Sequence, residues 1–261
     1  MTKAEIIRDR KDGEKIVAVT AYDFPTARIA DEVGVDLILV GDSLGMVILG
    51  YDNTLPVTMA EMLHHTRAVA RSRPRALVIG DMPYRSYETV AQALRNARRF
   101  IAAGADAVKL EGGLPDICAR VRALVREGIP VLGHIGLLPQ SIVKLGGYHV
   151  QGKTPEAARR IVAEAKALEK AGAFAIVIEC VPAGLASRIT RSVTIPTIGI
   201  GAGAGCDGQI LVCHDLLGFG SWGIPKHAKR YTNLAEQIRR AFAAYRADVR
   251  SRRFPSSENS F

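Results

Sequence analysis

Short apolar or β-branched runs recur along the chain at residues 16–20, 37–41, 76–80, 107–110, 130–133, 174–178, 196–200 and 209–212. Each is closed by glycine or a polar residue, and most lead into a stretch whose apolar positions have helical spacing. Strand-then-helix repetition predicts an α/β protein, and eight runs suit a closed parallel barrel. Helix candidates include 58–72, 89–103, 114–127 and 155–171. Thr58 stands three residues before Glu61 as a capping box, and Thr154 with Pro155 gives an N-cap followed by proline at the first helical position. Gly34, Gly104, Gly128 and Gly172 each separate an apparent helix from the next run, where a left-handed residue ends a helix. A terminal helix is expected over 231–250 and a polar tail over 251–261. The expected organisation is one domain, 1–261: a (β/α)8 TIM barrel with an N-terminal helix and a C-terminal helical extension.

A length of 261 residues accommodates one such barrel, and a chain that is 48% hydrophobic and 23% charged is neither disordered nor collagen-like. Apolar stretches fall well short of the roughly 18 residues of a membrane span, so no membrane partner is expected. The first eight residues lack a signal peptide's apolar core and carry Glu5 too early for a transit peptide, which predicts a cytoplasmic protein. Cys118, Cys180, Cys206 and Cys213 form no C-x-x-C pair and are too few to staple a fold of this size, so reduced thiols are expected. The net charge of +9 arises from arginines spread over helical stretches, with a cluster only between Arg239 and Arg253. That spread reads as solvated helix surface, and no nucleic-acid partner is expected.

In an α/β barrel the active site lies at the C-terminal ends of the strands. Carboxylates recur there: Asp42 after the second run, Asp81 after the third, Glu111 after the fourth and Glu179 after the sixth. Neighbouring strands lie about 4.8 Å apart, so Asp42, Asp81 and Glu111 can converge within roughly 10 Å. Three buried carboxylates repel one another and call for a cation, and oxygen-only ligands favour Mg2+ over zinc. Taken singly, each acid would also serve as a helix N-cap. Lys109 and Glu111, two residues apart, share a strand face that points into the barrel mouth. They form either a self-neutralising pair or a site where Lys109 holds a substrate carboxylate. Glu179, across the pocket, suits a general base, because desolvation makes a carboxylate more basic; an ion pair with Lys109 or an arginine is the alternative. His134, closing the fifth run, can stabilise a developing oxyanion or bind substrate, or be a hydrogen-bonded structural histidine. Residues 199–204 match G-x-G-x-x-A, but they follow the seventh run and do not open a helix. A turn of close backbone approach is expected there in place of a nicotinamide site.

In order along the chain stand Thr20-Ala21-Tyr22-Asp23, Gly41-Asp42-Ser43-Leu44-Gly45-Met46, Gly80-Asp81-Met82-Pro83, Lys109-Leu110-Glu111-Gly112-Gly113, Gly133-His134-Ile135-Gly136-Leu137, Pro139-Gln140-Ser141, Gly146-Gly147-Tyr148 and Glu179-Cys180-Val181-Pro182. This series resembles the ketopantoate hydroxymethyltransferase family nearly end to end. The resemblance implies an α/β barrel that moves a one-carbon unit from 5,10-methylenetetrahydrofolate to 3-methyl-2-oxobutanoate, giving 2-dehydropantoate, with Mg2+ as cofactor. It implies Asp42 and Asp81 as metal ligands, with Glu111 on or beside the metal shell. Ser43, Asp42, Asp81 and Lys109 would hold the keto acid, His134 would line the pocket, and Glu179 would be the base. A homodecamer of two stacked pentameric rings is also implied. Residues 219–225 are more glycine-rich than the family pattern, and Asn259 stands where that pattern has His. The competing readings are a Mg2+-dependent keto-acid lyase of the phosphoenolpyruvate mutase and isocitrate lyase type, and a non-catalytic binding barrel. The first expects a cysteine-bearing K-K-C-G-H-like loop that this chain lacks, and the acids at adjacent strand ends count against the second.

Overall fold

Eight parallel strands pair each with the next, and the first pairs with the last, so the sheet closes on itself. They are β1 (Ile16–Thr20), β2 (Leu37–Val40), β3 (Leu77–Asp81), β4 (Ala107–Glu111), β5 (Val131–Gly136), β6 (Ala175–Glu179), β7 (Thr197–Ile200) and β8 (Gly208–Leu211). The computed structural model describes residues 1–142, 146–220, 223 and 225–261. Helix α1 (Lys3–Arg8) precedes β1; α2 (Phe24–Glu32) follows β1, α3 (Leu44–Val47) and α4 (Met59–Ala70) follow β2, and α5 (Val90–Ala102) follows β3. Next come α6 (Pro115–Arg126) after β4, α7 (Pro155–Ala171) after β5 and α8 (Ala183–Ser192) after β6. This is the expected (β/α)8 TIM barrel with its N-terminal helix, and β7 joins β8 through residues 201–207 without a helix.

Alternation along each strand decides what the barrel encloses. Leu77 and Ile79, Ala107, Leu132, Ala175 and Val177, and Ile198 form one buried cluster with Ile16, Ala18, Leu37 and Leu39. Ala4 and Ile7 of α1 join it, so the N-terminal helix contributes to the same core. Continuing the same alternation toward the C-terminal ends leads from Ile79 to Asp81, from Ala107 to Lys109 and Glu111, from Leu132 to His134, and from Val177 to Glu179. The inward face is therefore apolar at one end and ionisable at the other. The opposite face meets the helices: a Cβ on Gly80 would lie 2.2 Å from Phe100 of α5, and one on Gly133 would lie 2.8 Å from Leu168 of α7. Burial on both faces explains why these strands read as continuous apolar runs.

The helix termini follow their sequence signals. Thr58 and Glu61 form both halves of the capping box, Thr89 and Thr154 each accept a hydrogen bond at their N-caps, and Gly34, Gly104, Gly128 and Gly172 all have positive φ. The glycine-rich turn after β7 is one of close approach to α8: a Cβ on Gly203 would come 2.5 Å from Ala183, and one on Gly205 would come 2.1 Å from Ser187. At the opposite end of the barrel Asp207 ties β7 and β8 to the N-terminal segment. It accepts from Thr197 N (2.8 Å), Thr197 Oγ1 (3.1 Å) and Lys11 Nζ (2.9 Å), and these partners outweigh its burial and hold its carboxyl below the usual range.

Residues Met1–Val212 make one compact unit and Cys213–Phe261 a second. The second holds α9 (Cys213–Leu217) and α10 (Leu234–Arg250), the latter starting three residues later than the expected terminal helix because Asn233 is its N-cap. In the tail, Phe254 meets Tyr245 edge-on with centroids 5.5 Å apart. Of the glycine-rich stretch 219–225, Ser221, Trp222 and Ile224 lie outside the described residues. All four cysteines are free thiols, and no helix among the described residues is long and apolar enough to cross a membrane.

Candidate active site

Register brings the ionisable residues together. Asp81 pairs with Lys109 across β3 and β4, Glu111 with His134 across β4 and β5, and Gly136 with Glu179 across β5 and β6. Strand β5 continues to Gly136, so His134 lies inside the strand and not at its end. Asp42 follows β2 in the turn before α3, and its backbone N–H donates to Asp81 Oδ2 at 3.2 Å. Asp42, Asp81, Lys109, Glu111 and His134 are all buried, while the Glu179 side chain keeps 16% of its exposure and so remains reachable from the mouth.

The N-cap alternative fails for the three acids. Ser43 stands at the N-cap of α3 without a side-chain cap bond, Thr58 and Thr89 cap α4 and α5, and Leu114 precedes α6. Lys109 is committed chiefly to Asp81, reaching Oδ1 at 2.8 Å and Oδ2 at 2.9 Å, and lies 3.6 Å from Glu111 Oε1. The expected pairing of Lys109 with Glu111 is thus the weaker contact. Glu179 takes neither Lys109 nor an arginine as its ion-pair partner: His134 Nε2 stands 3.1 Å from Glu179 Oε2, with His134 Nδ1 3.5 Å from Glu111 Oε1. Both contacts are at ion-pair distance without the alignment of a hydrogen bond, and among the described residues Glu111 Oε1 and the two ring nitrogens have no hydrogen-bond partner.

The charges set one another. Burial, then the neighbouring Asp81 charge, push the Asp42 carboxyl well above the usual carboxylate range, and burial raises Asp81 despite Lys109. Burial pushes Glu111 upward too, but Lys109 and His134 outweigh it and hold this acid below its ordinary value. Burial and Lys109 oppose charge on His134, yet the carboxylates on either side of the ring prevail and push it up to about 9. Burial likewise disfavours the Lys109 ammonium, and Asp81, Glu111 and Asp42 overcome it.

Among the described residues, no three His, Cys, Asp or Glu side chains form a ready cage for a metal ion. The donor chemistry nevertheless fits a hard divalent cation. Asp42 and Asp81 are adjacent oxygen donors, burial leaves Asp42 short of compensating charge, and among the described residues Glu111 Oε1 is a buried acceptor that receives no hydrogen bond. A bound oxygen ligand would supply donors the protein does not.

Several contributors were not singled out from sequence. Gln140, on the 3-10 turn Pro139–Ser141, donates through Nε2 to Asp42 Oδ2 (2.9 Å) and through its backbone N–H to Glu111 Oε2 (3.1 Å). The Tyr87 hydroxyl donates to Gln140 Oε1 at 2.6 Å; burial, then the Glu111 charge, hold this phenol above its usual range and so in its neutral form. Ser43 Oγ lies 2.8 Å from the Tyr22 hydroxyl, and the Tyr148 hydroxyl lies 3.6 Å from Met46 Sδ. Gln140, Tyr22 and Tyr148 fall within the segments quoted above, but their residue types carry no periodic signal. Histidines outside the cluster play local parts: His65 Nδ1 stands 2.7 Å from the Tyr22 carbonyl, and His214 stacks on Phe219.

The family model described as ketopantoate hydroxymethyltransferase matches residues 1–257. The 3-methyl-2-oxobutanoate hydroxymethyltransferase of Syntrophus aciditrophicus (strain SB) is 56% identical over 254 residues, covering 97% of this chain and 93% of that one. That of Geobacillus sp. (strain WCH70) is 52% identical over 262 residues, covering 100% and 94%. Among solved structures, a phosphonopyruvate hydrolase in complex with oxalate and Mg2+ aligns with a TM-score of 0.65 at 18% identity, over 99% of this chain and 93% of that one. A 2,3-dimethylmalate lyase aligns with a TM-score of 0.61 at 17% identity, over 96% and 88%. At such identities these two alignments speak for the fold alone.

Proposed function

The chain belongs to the ketopantoate hydroxymethyltransferase family, and from that premise we propose how its barrel-mouth groups carry out hydroxymethyl transfer to 3-methyl-2-oxobutanoate, the reaction it catalyses in pantothenate biosynthesis. The donor in this reading is 5,10-methylenetetrahydrofolate; with water it yields tetrahydrofolate and 2-dehydropantoate. One observation carries the assignment: the buried, inward-facing set of Asp42, Asp81, Lys109, Glu111 and His134, with the half-buried Glu179 at its edge.

Asp42 and Asp81 would hold a divalent cation, Mg2+ in this reading, with Glu111 on or beside its shell. Such a cation, when bound, polarises the keto oxygen and acidifies the neighbouring C3–H. Lys109, fixed on Asp81, and the Ser43 hydroxyl, next to Tyr22, orient the keto-acid carboxylate. Glu179 takes the C3 proton as general base, reaching the pocket from the far side. His134, held charged between Glu111 and Glu179, would turn its positive charge to the enolate oxygen as the C3 proton neutralises Glu179. The nucleophilic C3 then bonds to the methylene carbon: in the net change that carbon exchanges its two C–N bonds for one to C3 and one to the oxygen of water, while the proton taken from C3 and one from water end on the two folate nitrogens.

The fold likeness to phosphonopyruvate hydrolase and dimethylmalate lyase does not favour lyase chemistry here, since the whole-chain identity is to the transferases. A cytoplasmic homodecamer completes the reading, with the exposed Phe242 and Tyr245 of α10 among the surfaces that assembly would cover. The test is product formation from both substrates with Mg2+, beside calorimetric binding of the keto acid. Asp81→Asn should lose keto-acid binding and turnover together; an Asp81→Asn protein with normal binding would overturn the site.

A further inference from the structure

Behind the carboxylates runs a chain of hydrogen bonds whose direction is fixed at both ends by backbone groups. The Glu111 N–H donates to the Tyr87 hydroxyl oxygen at 3.4 Å, and the Tyr87 O–H donates to Gln140 Oε1 at 2.6 Å. The Gln140 side-chain amide donates to the Met82 carbonyl and to Asp42 Oδ2, each at 2.9 Å. Its backbone N–H returns to Glu111 Oε2 at 3.1 Å. A backbone N–H can only donate and a carbonyl can only accept, so the sequence of donors runs one way. Turned by half a rotation, the Gln140 amide would set its oxygen against the Met82 carbonyl and the Asp42 carboxylate. The Met82 carbonyl and the Asp42 carboxylate therefore hold the Gln140 amide with its nitrogen toward Asp42, and the Tyr87 hydroxyl donates to the oxygen at the other end.

These bonds join the segments that follow β2, β3 and β5 to the last residue of β4. Among the described residues, Gln140 gives the Asp42 carboxylate its side-chain hydrogen bond, and both Gln140 and Tyr87 are buried. We propose that Gln140 and Tyr87 are positioning residues that aim the Asp42 and Glu111 carboxylates at the divalent cation and the keto acid. The proposal rests on the reading of Asp42 as a metal ligand given above. Groups in this position orient ligands without touching the metal, and their loss typically weakens metal affinity about 10- to 100-fold.

The test measures Mn2+ binding to the full chain by the electron paramagnetic resonance signal of free Mn2+, alongside circular dichroism and the thermal midpoint, for wild type, Tyr87→Phe, Gln140→Leu, Asp42→Asn and the Asp42→Asn, Gln140→Leu double variant. Tyr87→Phe and Gln140→Leu should stay folded and bind Mn2+ about 10- to 100-fold more weakly, and Gln140→Leu should add little once Asp42→Asn is present. A purely structural role would lower the midpoint and leave the Mn2+ affinity of the folded protein unchanged, which would overturn the proposal. Should Gln140→Leu fail to fold, Tyr87→Phe, which removes a single oxygen, decides alone. Wild-type Mn2+ affinity in Tyr87→Phe together with a loss in Asp42→Asn sinks the positioning role while sparing the metal site. Wild-type affinity in Asp42→Asn overturns the metal-site reading and the positioning role with it.

Discussion

Replacing Lys109 by Met keeps an unbranched side chain, one atom shorter, and removes the charge from among three carboxylates. In the protein the ammonium lies 2.8 and 2.9 Å from the two Asp81 oxygens and 3.6 Å from Glu111 Oε1, all buried. At an effective dielectric of about 20, one such contact near 3 Å amounts to roughly 5 to 6 kcal/mol of attraction. Desolvation has already consumed much of that, and breaking a buried pair from one side costs about 3–5 kcal/mol, because the abandoned charge stays buried. Lys109→Met should therefore lower stability by about 3–5 kcal/mol in EDTA at neutral pH, or roughly 6–20 °C in midpoint for a domain of this size. Urea unfolding followed by circular dichroism reads the loss. Mg2+ should then stabilise Lys109→Met more than it stabilises wild type, since the Asp81 oxygens are freed and the ammonium on them no longer repels it. A loss below about 1 kcal/mol in EDTA would refute the reasoning, because it would mean that the three acids do not depend on Lys109.

Away from the site, Gly80→Ala should cost about 1–3 kcal/mol by overpacking, since its Cβ would lie 2.2 Å from the buried Phe100 ring; Phe100→Leu in the same chain should return part of it, and additive losses in urea melts would contradict the contact. Asp207, held below the ordinary carboxylate range, contributes stability that is present above about pH 3.9 and fades as pH falls through its lower folded value. Asp207→Asn should thus unfold about 1.5–3 kcal/mol more easily at pH 7, with the gap to wild type narrowing below about pH 4; a gap independent of pH would show that Lys11 and Thr197 do not depend on its charge.

Where residue type and spacing alone determine an outcome, the chain was legible. The Thr58 and Glu61 pair, the proline after Thr154, and glycines 34, 104, 128 and 172 all follow from local backbone requirements, and each stands as its pattern predicts. Strand alternation likewise takes Asp81, Lys109, Glu111, His134 and Glu179 to one face. Which acid takes which partner depends instead on register between strands far apart in sequence, so the Lys109 attachment to Asp81 and the Glu179 contact with His134 could not be read from spacing. Gln140 and Tyr87 are harder still: they reach the site from loops, where no period constrains the side chain. The missing helix between β7 and β8 was foreshadowed by residues 199–204 not opening a helix, with α8 as the neighbour they approach.

The central claim is that Glu179 removes the C3 proton of a keto acid held by Asp42, Asp81 and Lys109. Incubation of the protein with 3-methyl-2-oxobutanoate and Mg2+ in D2O, with the C3 proton followed by NMR, tests it most directly. The account predicts exchange by wild type and a loss of about 100-fold or more in Glu179→Gln, with keto-acid binding retained. Exchange at the wild-type rate in Glu179→Gln would contradict it.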